Sequence, residues 1–190
     1  MGVADRKSRE RQEREARIVA TARTIAEAEG WSAVTIRRLA ETIEYSQPVL
    51  YSHFENRDAI IAAVALKGFA ELADALKAAA TGADAGAAGL KAVAVGYLAF
   101  ARAHPALYEA MFTLPTTLRF ARSDTETELR AGFAAMAAVV APVREDVEIA
   151  TETFWATLHG LAELERSGRI RRAARDERVE LVVNGMMLRR

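Results

Sequence analysis

The chain has 190 residues, about half of them apolar, enough for one compact domain or for a small domain joined to a larger one. Its 26 basic and 26 acidic side chains cancel, which is unusual for a nucleic-acid binder because such proteins are typically basic. Cysteine is absent, which excludes disulfides, thiol catalysis and cysteine metal sites and fits a reducing cytoplasm.

Neither a secretory leader nor a membrane-spanning segment is predicted. The N-terminal residues are charged and contain no apolar stretch of the kind that a leader needs. The longest apolar runs, residues 92–101 and 131–143, are shorter than the ~20 residues that span a bilayer. We therefore expect a cytoplasmic protein.

The first predicted helix runs from about Ser8 to Glu29, and Gly30 is placed to end it. Trp31 is expected to pack in the core that follows. The N-terminal part of the chain is highly charged, since residues 5–17 contain six basic and four acidic side chains. This part is either a solvated surface helix held by pairs of opposite charge or an arm that touches nucleic-acid phosphate. The sequence leaves both interpretations open.

Residues 35–54 have the pattern of two short helices joined by a tight turn. Thr35 can cap the first helix, whose apolar residues recur at i, i+3, i+4 and i+7. Ser46 can cap the second helix, and Pro48 falls in its first turn, where a missing N–H does little harm. The apolar face of the first helix consists of Ile36, Leu39, Ala40 and Ile43. This is the layout of a helix-turn-helix, whose second helix reads the major groove of DNA.

This segment resembles the DNA-binding domain of TetR-type transcriptional regulators. The resemblance rests on Thr-x-x-x-Leu-Ala and then Ser-x-x-x-Leu-Tyr-x-His-Phe-x-x-Arg-Asp-x-Ile, between Thr35 and Ile60. The chain departs from the family at the turn, with Glu44 in place of the usual glycine and Tyr45 in place of a small aliphatic residue. Because glycine there relieves a left-handed backbone, Glu44 predicts modest strain or an altered turn.

The resemblance and the chemistry of the side chains predict how the segment contacts double-stranded DNA. Gln47 is the candidate for base readout, since an amide can pair with adenine, and Val49 can touch a thymine methyl group. Arg37 is expected to reach a base or a phosphate. Five further candidates are expected to hold phosphates, which sets the register without reading the sequence; they are Thr35, Ser46, Tyr51, His53 and Arg57. The predicted DNA contacts are Thr35, Arg37, Ser46, Gln47, Pro48, Val49, Tyr51, His53 and Arg57.

Beyond this motif, the periodicity and the proline breaks predict helices and no strand. The predicted helices cover about residues 57–80, 90–103, 105–114, 125–140, 144–167 and 175–188. The expected fold is all-α, with about nine helices. We expect a helix-turn-helix DNA-binding domain at residues 1–55 and a helical ligand-binding and dimerisation domain at residues 56–190.

A second resemblance covers the C-terminal part of the chain. Trp155-x-x-x-His159-Gly160 is similar to the Trp-His-Gly (WHG) signature of one class of TetR-type C-terminal domain, and residues 104–112 resemble an upstream segment of that class. The resemblance implies a homodimer with a palindromic operator and a small-molecule inducer. A dimer suits two half-sites about one DNA turn apart.

The last two helices each carry an apolar stripe that is predicted to form the dimer interface. Gly160 is small enough to allow two helices to approach closely. Alternatively, both stripes are buried inside one protomer, but the resemblance favours the dimer. The stripes are Val147, Ala150, Phe154, Leu158, Leu161 and Leu164 on the first helix, and Val179, Val182, Val183, Met186 and Met187 on the second.

The inducer implied by the resemblance is expected to be hydrophobic or amphipathic. Each candidate lining residue alone is better explained by core packing, but together they could surround a cavity. His159 is a satisfied core histidine, a ligand contact or, with Glu163 as its only possible partner, a metal ligand. We predict no metal and no cofactor. The predicted lining is Tyr97, Phe100, Met111, Phe112, Phe133, Met136, Trp155 and His159.

These features predict a sequence-specific DNA-binding transcriptional regulator, best described as a ligand-responsive homodimeric repressor. The alternative is a DNA-bound adaptor or activator gated by a protein partner. An all-α enzyme is not expected, because no nucleophile elbow, zinc motif or paired catalytic residues occur. The sequence leaves repression and activation open.

Overall fold

The computed structural model describes residues 3–115, 118 and 127–188, with side chains from residue 5 onward. In this part of the chain there are nine α-helices and no strand, so the all-α prediction is confirmed. Short 3₁₀ turns lie at Trp31–Ala33 and Arg172–Ala174. The helices are α1 (Val3–Glu29), α2 (Ile36–Ile43), α3 (Gln47–Tyr51), α4 (Arg57–Ala80), α5 (Ala87–Ala103), α6 (Pro105–Phe112), α7 (Thr127–Val140), α8 (Val147–Arg166) and α9 (Arg175–Met187).

The helix boundaries largely follow the predictions. The bounds of α4 match, and Asn56 caps this helix, since its side chain accepts a hydrogen bond from the backbone N–H of Ala59 at 2.9 Å. The first helix begins at Val3 instead of near Ser8, so the charged residues before Ser8 also belong to it. The residues expected to begin the helix before Thr127 lie outside the described part of the chain.

The chain divides into two compact units. The first contains Met1–Gly68 and His104–Arg119, and the second contains Phe69–Ala103 and Phe120–Arg190. The division falls inside α4, and α6 belongs to the same unit as α1–α3. The domain boundary expected at residue 55 stays a prediction.

The first unit is held together by contacts between α1 and α6. Trp31 is buried as expected, and its Nε1–H donates to the carbonyl of Ala106 at 2.8 Å. The Glu27 carboxylate accepts hydrogen bonds from the backbone N–H groups of Ala106 and Leu107, at 3.1 and 3.0 Å. These N–H groups would otherwise lack partners at a helix start, and a carboxylate there also suits the helix dipole. Helix α6 is therefore fixed to the end of α1.

Helix α4 crosses α6 at Gly68. A Cβ atom at this position would lie 2.7 Å from Sδ of Met111 and 2.8 Å from Cδ1 of Leu107. Both neighbours are buried, so a larger residue would have to displace the ends of two packed side chains. Glycine allows the close crossing without that displacement.

The second unit has its core between α5, α7, α8 and α9. The stripes predicted for the dimer interface contribute much of this core. Ala150, Phe154 and Leu158 on α8 are at most 6% exposed. Val179, Val183 and Met186 on α9 are at most 8% exposed. The prediction that these six residues form the dimer interface is wrong, because their side chains are buried in the core of the protomer.

A buried ion cluster joins α8 to α9. The carboxylate of Glu165, 4% exposed, accepts hydrogen bonds from Nε of Arg175 and Nη2 of Arg178, both at 2.8 Å. Arg178 also donates to the carbonyl of Arg171 at 2.7 Å. Burial alone would raise the pKa of Glu165, but the hydrogen bonds from Arg175 and Arg178 outweigh it, so its pKa lies below the ordinary 4.5.

Replacing Glu165 with glutamine is expected to lower the free energy of unfolding at pH 7 by about 3 kcal/mol, because a neutral amide leaves two largely buried guanidinium groups without a counter-charge. Chemical denaturation measures this difference. Glu163→Gln is the matched control, since Glu163 pairs with Arg166 in a more exposed position, where a pair contributes less than about 1 kcal/mol.

The same variants test the pKa of Glu165. A carboxyl with a lowered folded-state pKa stabilises the fold above its unfolded-state pKa, and this stabilisation is lost as the pH falls through the folded-state value. Wild-type stability should therefore decline more steeply than that of Glu165→Gln below about pH 5. Parallel pH profiles for the two proteins would contradict the assignment.

Candidate nucleic-acid interface

Helix α2 begins with the cap that was predicted. The Thr35 hydroxyl accepts a hydrogen bond from the backbone N–H of Arg38 at 3.1 Å. The hydroxyl hydrogen is not used in this bond, so Thr35 can still donate to a phosphate oxygen.

The turn after α2 is strained at Glu44. Its backbone is left-handed (φ 58°, ψ 38°), and it is the only non-glycine residue with positive φ in the described part of the chain. The backbone N–H groups of Glu44 and Tyr45 both donate to the carbonyl of Ala40, which closes the helix end. The guanidinium of Arg17 lies 5.4 Å from the centre of the Tyr45 ring. This cation–π contact attaches the unusual turn to α1.

Helix α3 has five residues and is anchored by Leu50, which is fully buried. Gln47, Pro48 and Tyr51 point outward, and Tyr51 is 54% exposed. Val49 is half-buried. The outer face therefore offers an amide, a phenol and apolar carbon, and no charge.

Ser46 does not cap α3 through its side chain, contrary to the expectation. Proline occupies the second helical position and has no N–H to donate, and the N–H of Val49 bonds to the main-chain carbonyl of Ser46 at 3.0 Å. The Ser46 side chain is exposed beside the start of α3.

Two predicted phosphate contacts have other roles in this structure. The His53 side chain is 6% exposed, and its Nδ1 lies 3.2 Å from Oε1 of Glu15. The Arg57 guanidinium donates to the carbonyls of Val34 at 2.6 Å and of Trp31 at 2.5 Å. His53 and Arg57 thus hold together the N-terminal helical head, which consists of α1–α3 and the start of α4, and their placement does not support a direct phosphate contact. Sequence reasoning missed these partners because they are far away along the chain.

The Glu15 carboxylate joins α1 to the end of α3. It accepts a hydrogen bond from Nε of Arg11 at 2.9 Å in addition to its contact with His53. Burial opposes ionisation of Glu15, but the bonds from His53 and Arg11 outweigh it and lower its pKa. The carboxylate is therefore charged at neutral pH.

Arg37 is exposed and pairs with Glu41 four residues along α2, at 2.8 Å. Arg38 pairs with Glu29 at 2.9 Å. Exposed pairs of this kind contribute little to stability, so either arginine can exchange its carboxylate for another anion.

The candidate ligand residues lie in both units. Met111 is buried and Phe112 is half-buried on α6, in the first unit. In the second unit, Trp155 Nε1–H donates to the Tyr97 hydroxyl at 3.2 Å, and His159 lies one turn further along α8. Tyr97, Phe100 and Met136 are buried there, while Phe133, Trp155 and His159 are half-buried.

Burial lowers the pKa of His159, against a smaller opposing effect of the Glu163 charge. The imidazole is therefore mainly neutral at pH 7. Within the described residues no group of three or more potential ligand side chains could hold a metal ion. None of the helices described above has the length and apolar character that a membrane crossing requires.

An all-α chain with an exposed recognition helix on an N-terminal helix-turn-helix has the architecture of a bacterial DNA-binding regulator. Residues 18–64 match the profile of bacterial regulatory proteins of the tetR family, and residues 90–186 match the tetracyclin repressor-like C-terminal domain. The chain belongs to the TetR family of transcriptional regulators.

Among the proteins similar to this chain, one is described as a transcriptional regulator and two solved structures share the fold. The chain is 30% identical over 156 residues to an uncharacterized HTH-type transcriptional regulator, Rv0681, of Mycobacterium tuberculosis, covering 80% of this chain and 69% of that protein. A protein of unknown function from Rhodococcus sp. RHA1 has a TM-score of 0.71 at 27% identity, covering 91% of this chain and 93% of that one. The complex of RolR with its ligand resorcinol, at 16% identity, shares the fold with a TM-score of 0.66 over 96% and 91% of the two chains.

Replacing Glu44 with glycine is expected to raise the free energy of unfolding by about 1 kcal/mol. Glycine adopts the left-handed conformation without the ~1–2 kcal/mol penalty, although it also makes the unfolded chain more flexible. Thermal unfolding of the two proteins measures the change. Glu44→Ala keeps the Cβ atom and should leave the Tm nearly unchanged, so equal shifts in the two variants would show that backbone strain is not the cause.

Proposed function

We propose that the chain represses transcription by binding a palindromic operator as a homodimer, with α3 of each protomer in the major groove. The observation that carries this proposal is the outward display of Gln47 and Tyr51 on a helix anchored by buried Leu50. The Gln47 amide can form two hydrogen bonds with adenine, and the Val49 methyl groups suit thymine.

The phosphate contacts are assigned to the remaining exposed polar groups of the head. Thr35 at the start of α2, Ser46 just before α3 and Tyr51 on α3 are exposed, and their hydroxyls can donate to phosphate oxygens. Arg37 can leave its exposed pair with Glu41 at little cost and bind a phosphate or a base edge. Pro48 supplies an apolar contact at the start of α3.

We propose that exposed faces of α8 and α9 form the homodimer interface. On α8, Ile149 is 65% exposed and Leu164 is 39% exposed, and Gly160 lies between them on the same face with no atom near its missing Cβ. On α9, Leu181 is 71% exposed, and Gly185 lies one turn further along with the same open space. Helix faces made of small and apolar side chains allow helices of two protomers to pack closely.

A small apolar or amphipathic inducer is proposed to weaken DNA binding. Trp155, Tyr97 and His159 bring aromatic surface together with an N–H donor, a hydroxyl and a neutral imidazole, which suits an uncharged ligand with a polar group. The presence of resorcinol in RolR, which shares this fold, supports a small ligand. Met111 and Phe112 lie on α6, whose start is held by Glu27 of α1, so a ligand that touched α6 would act directly on the DNA-binding unit.

The proposal is tested by selecting DNA from a random duplex pool with the purified protein. We expect a palindrome whose half-sites are spaced for a dimer, and release of that DNA by an apolar small molecule in a screen. Recovery of no preferred sequence at low salt would contradict the proposal. Sequence-specific binding that responds to no small molecule would favour the alternative, an adaptor or activator gated by a protein partner.

The roles of Gln47 and Tyr51 predict different outcomes for their variants. Gln47→Ala should relax base preference at one position of each half-site, at a cost of about 1–3 kcal/mol. Tyr51→Phe should weaken binding to all sequences equally, because a phosphate contact carries no sequence information. Binding of each variant to a panel of single-base operator variants distinguishes the roles, and a changed base preference in Tyr51→Phe would refute this division.

The dimer surface predicts that Leu181→Glu separates the protomers. A charge in the centre of a tight apolar contact is costly, whereas an exposed side chain of a monomer tolerates it. Sedimentation equilibrium measures the change in mass. Val95→Glu on α5, 46% exposed in the protomer, is the matched control and should remain dimeric. A dimeric Leu181→Glu would place the interface elsewhere.

A further inference from the structure

In the helix-turn-helix itself, the charges of the arginines and glutamates cancel. Residues 35–54 contain two arginines and two glutamates, and α3 contains no charged side chain. Arg37 and Arg38 are paired with Glu41 and Glu29. Attraction between a protein and DNA depends on cations that neutralise phosphates, so a neutral helix-turn-helix needs such cations outside residues 35–54.

Helix α1 lies alongside α3 and continues beyond it. The Arg17 guanidinium lies over Tyr45, just before α3 begins. Nearer the N-terminus of α1, Nη2 of Arg11 donates to the carbonyl of Ser52, just after α3 ends, at 3.4 Å. From Arg11 the helix extends to Val3, which adds about 12 Å at 1.5 Å per residue. This extension runs past the end of the recognition helix.

One side of the extension is basic. Lys7, Arg11 and Arg14 lie at positions i, i+4 and i+7 of the helix. Ile18, which continues this spacing, is fully buried in the head. Residues with this spacing lie on one side of a helix. The side of α1 that packs against the head is therefore continued by lysine and arginine.

Lys7 and Arg14 are available to bind an anion. Both are exposed, and neither forms an ion pair within the described ranges. Glu10 lies at the edge of the basic side but pairs with Arg6 at 3.7 Å. Because Lys7 and Arg14 point to the side of α1 where α3 lies, they are placed next to the DNA that α3 would occupy.

We propose that Lys7 and Arg14 bind phosphates of duplex DNA beside the half-site that α3 reads, so that the N-terminal part of α1 is a second DNA-contact element. An ammonium group acts as a compact charge, and a guanidinium can bind a phosphate through two parallel hydrogen bonds. The inference rests on the DNA binding proposed above and supplies the attraction that the neutral helix-turn-helix lacks.

The test is the salt dependence of binding to the selected operator for wild-type protein and three double variants. Lys7→Gln/Arg14→Gln removes four phosphate contacts from a dimer. The slope of log K against log salt should therefore decrease in magnitude by about 3 to 4, and the affinity at about 50 mM salt should fall roughly tenfold or more. Arg6→Gln/Arg9→Gln removes the same charge from other parts of the helix surface and should change the slope by less than about 1.

The third variant separates charge from folding. Lys7→Arg/Arg14→Lys keeps both positive charges and should keep the wild-type slope, and circular dichroism reports whether the helix content of each variant is intact. Equal slopes for Lys7→Gln/Arg14→Gln and Arg6→Gln/Arg9→Gln would overturn the inference, as would loss of slope in the charge-preserving variant.

Wild-type behaviour distinguishes this inference from the function on which it rests. If the wild-type protein selects no DNA, the proposed function fails and the inference fails with it. If the wild-type protein selects an operator and the two charge-removing variants bind it alike, only the role of Lys7 and Arg14 is refuted.

Discussion

A helix of five residues cannot stay folded through its own hydrogen bonds, because isolated helices shorter than about 12 residues are marginal in water. The position of α3 therefore depends on what surrounds it. Leu50 is buried on the inner face of α3, and Pro48 fixes the backbone of its first turn. Contacts from α1 hold both of its ends, through Arg17 and Tyr45 before it and Arg11 and Ser52 after it. The recognition surface is thus as much a property of α1 as of α3.

The same helix also holds α6. Glu27 satisfies the first backbone donors of α6, and Trp31, just beyond α1, donates to the carbonyl of Ala106. A displacement of α6 would break these bonds or move the end of α1 with it, and packed interfaces of this type change between discrete arrangements. Since α1 supports α3 at one end and α6 at the other, any effect of a ligand on α6 has a short physical path to the recognition helix.

The sequence predicted the elements that depend on local physics. Helix periodicity, proline breaks and the Thr35 cap predicted most helix boundaries, and the absence of glycine at residue 44 correctly indicated a strained turn. What the sequence could not predict depends on contacts between distant residues. The burial of His53 against Glu15 requires α1 to pass beside α3, which no local pattern encodes.

The apolar stripes of α8 and α9 show a further limit of periodicity. A helix between a protein core and a second protomer must be apolar on two faces, and the face with larger side chains gives the stronger signal. In this chain the large residues, Phe154 and Leu158, are buried inside the protomer. The opposite face combines Ile149 with Ala156 and Gly160. From the sequence alone, this face would be interpreted as a solvent-facing surface. Only the burial of the first face shows that the second is available, so the choice between core and interface needs the packed structure.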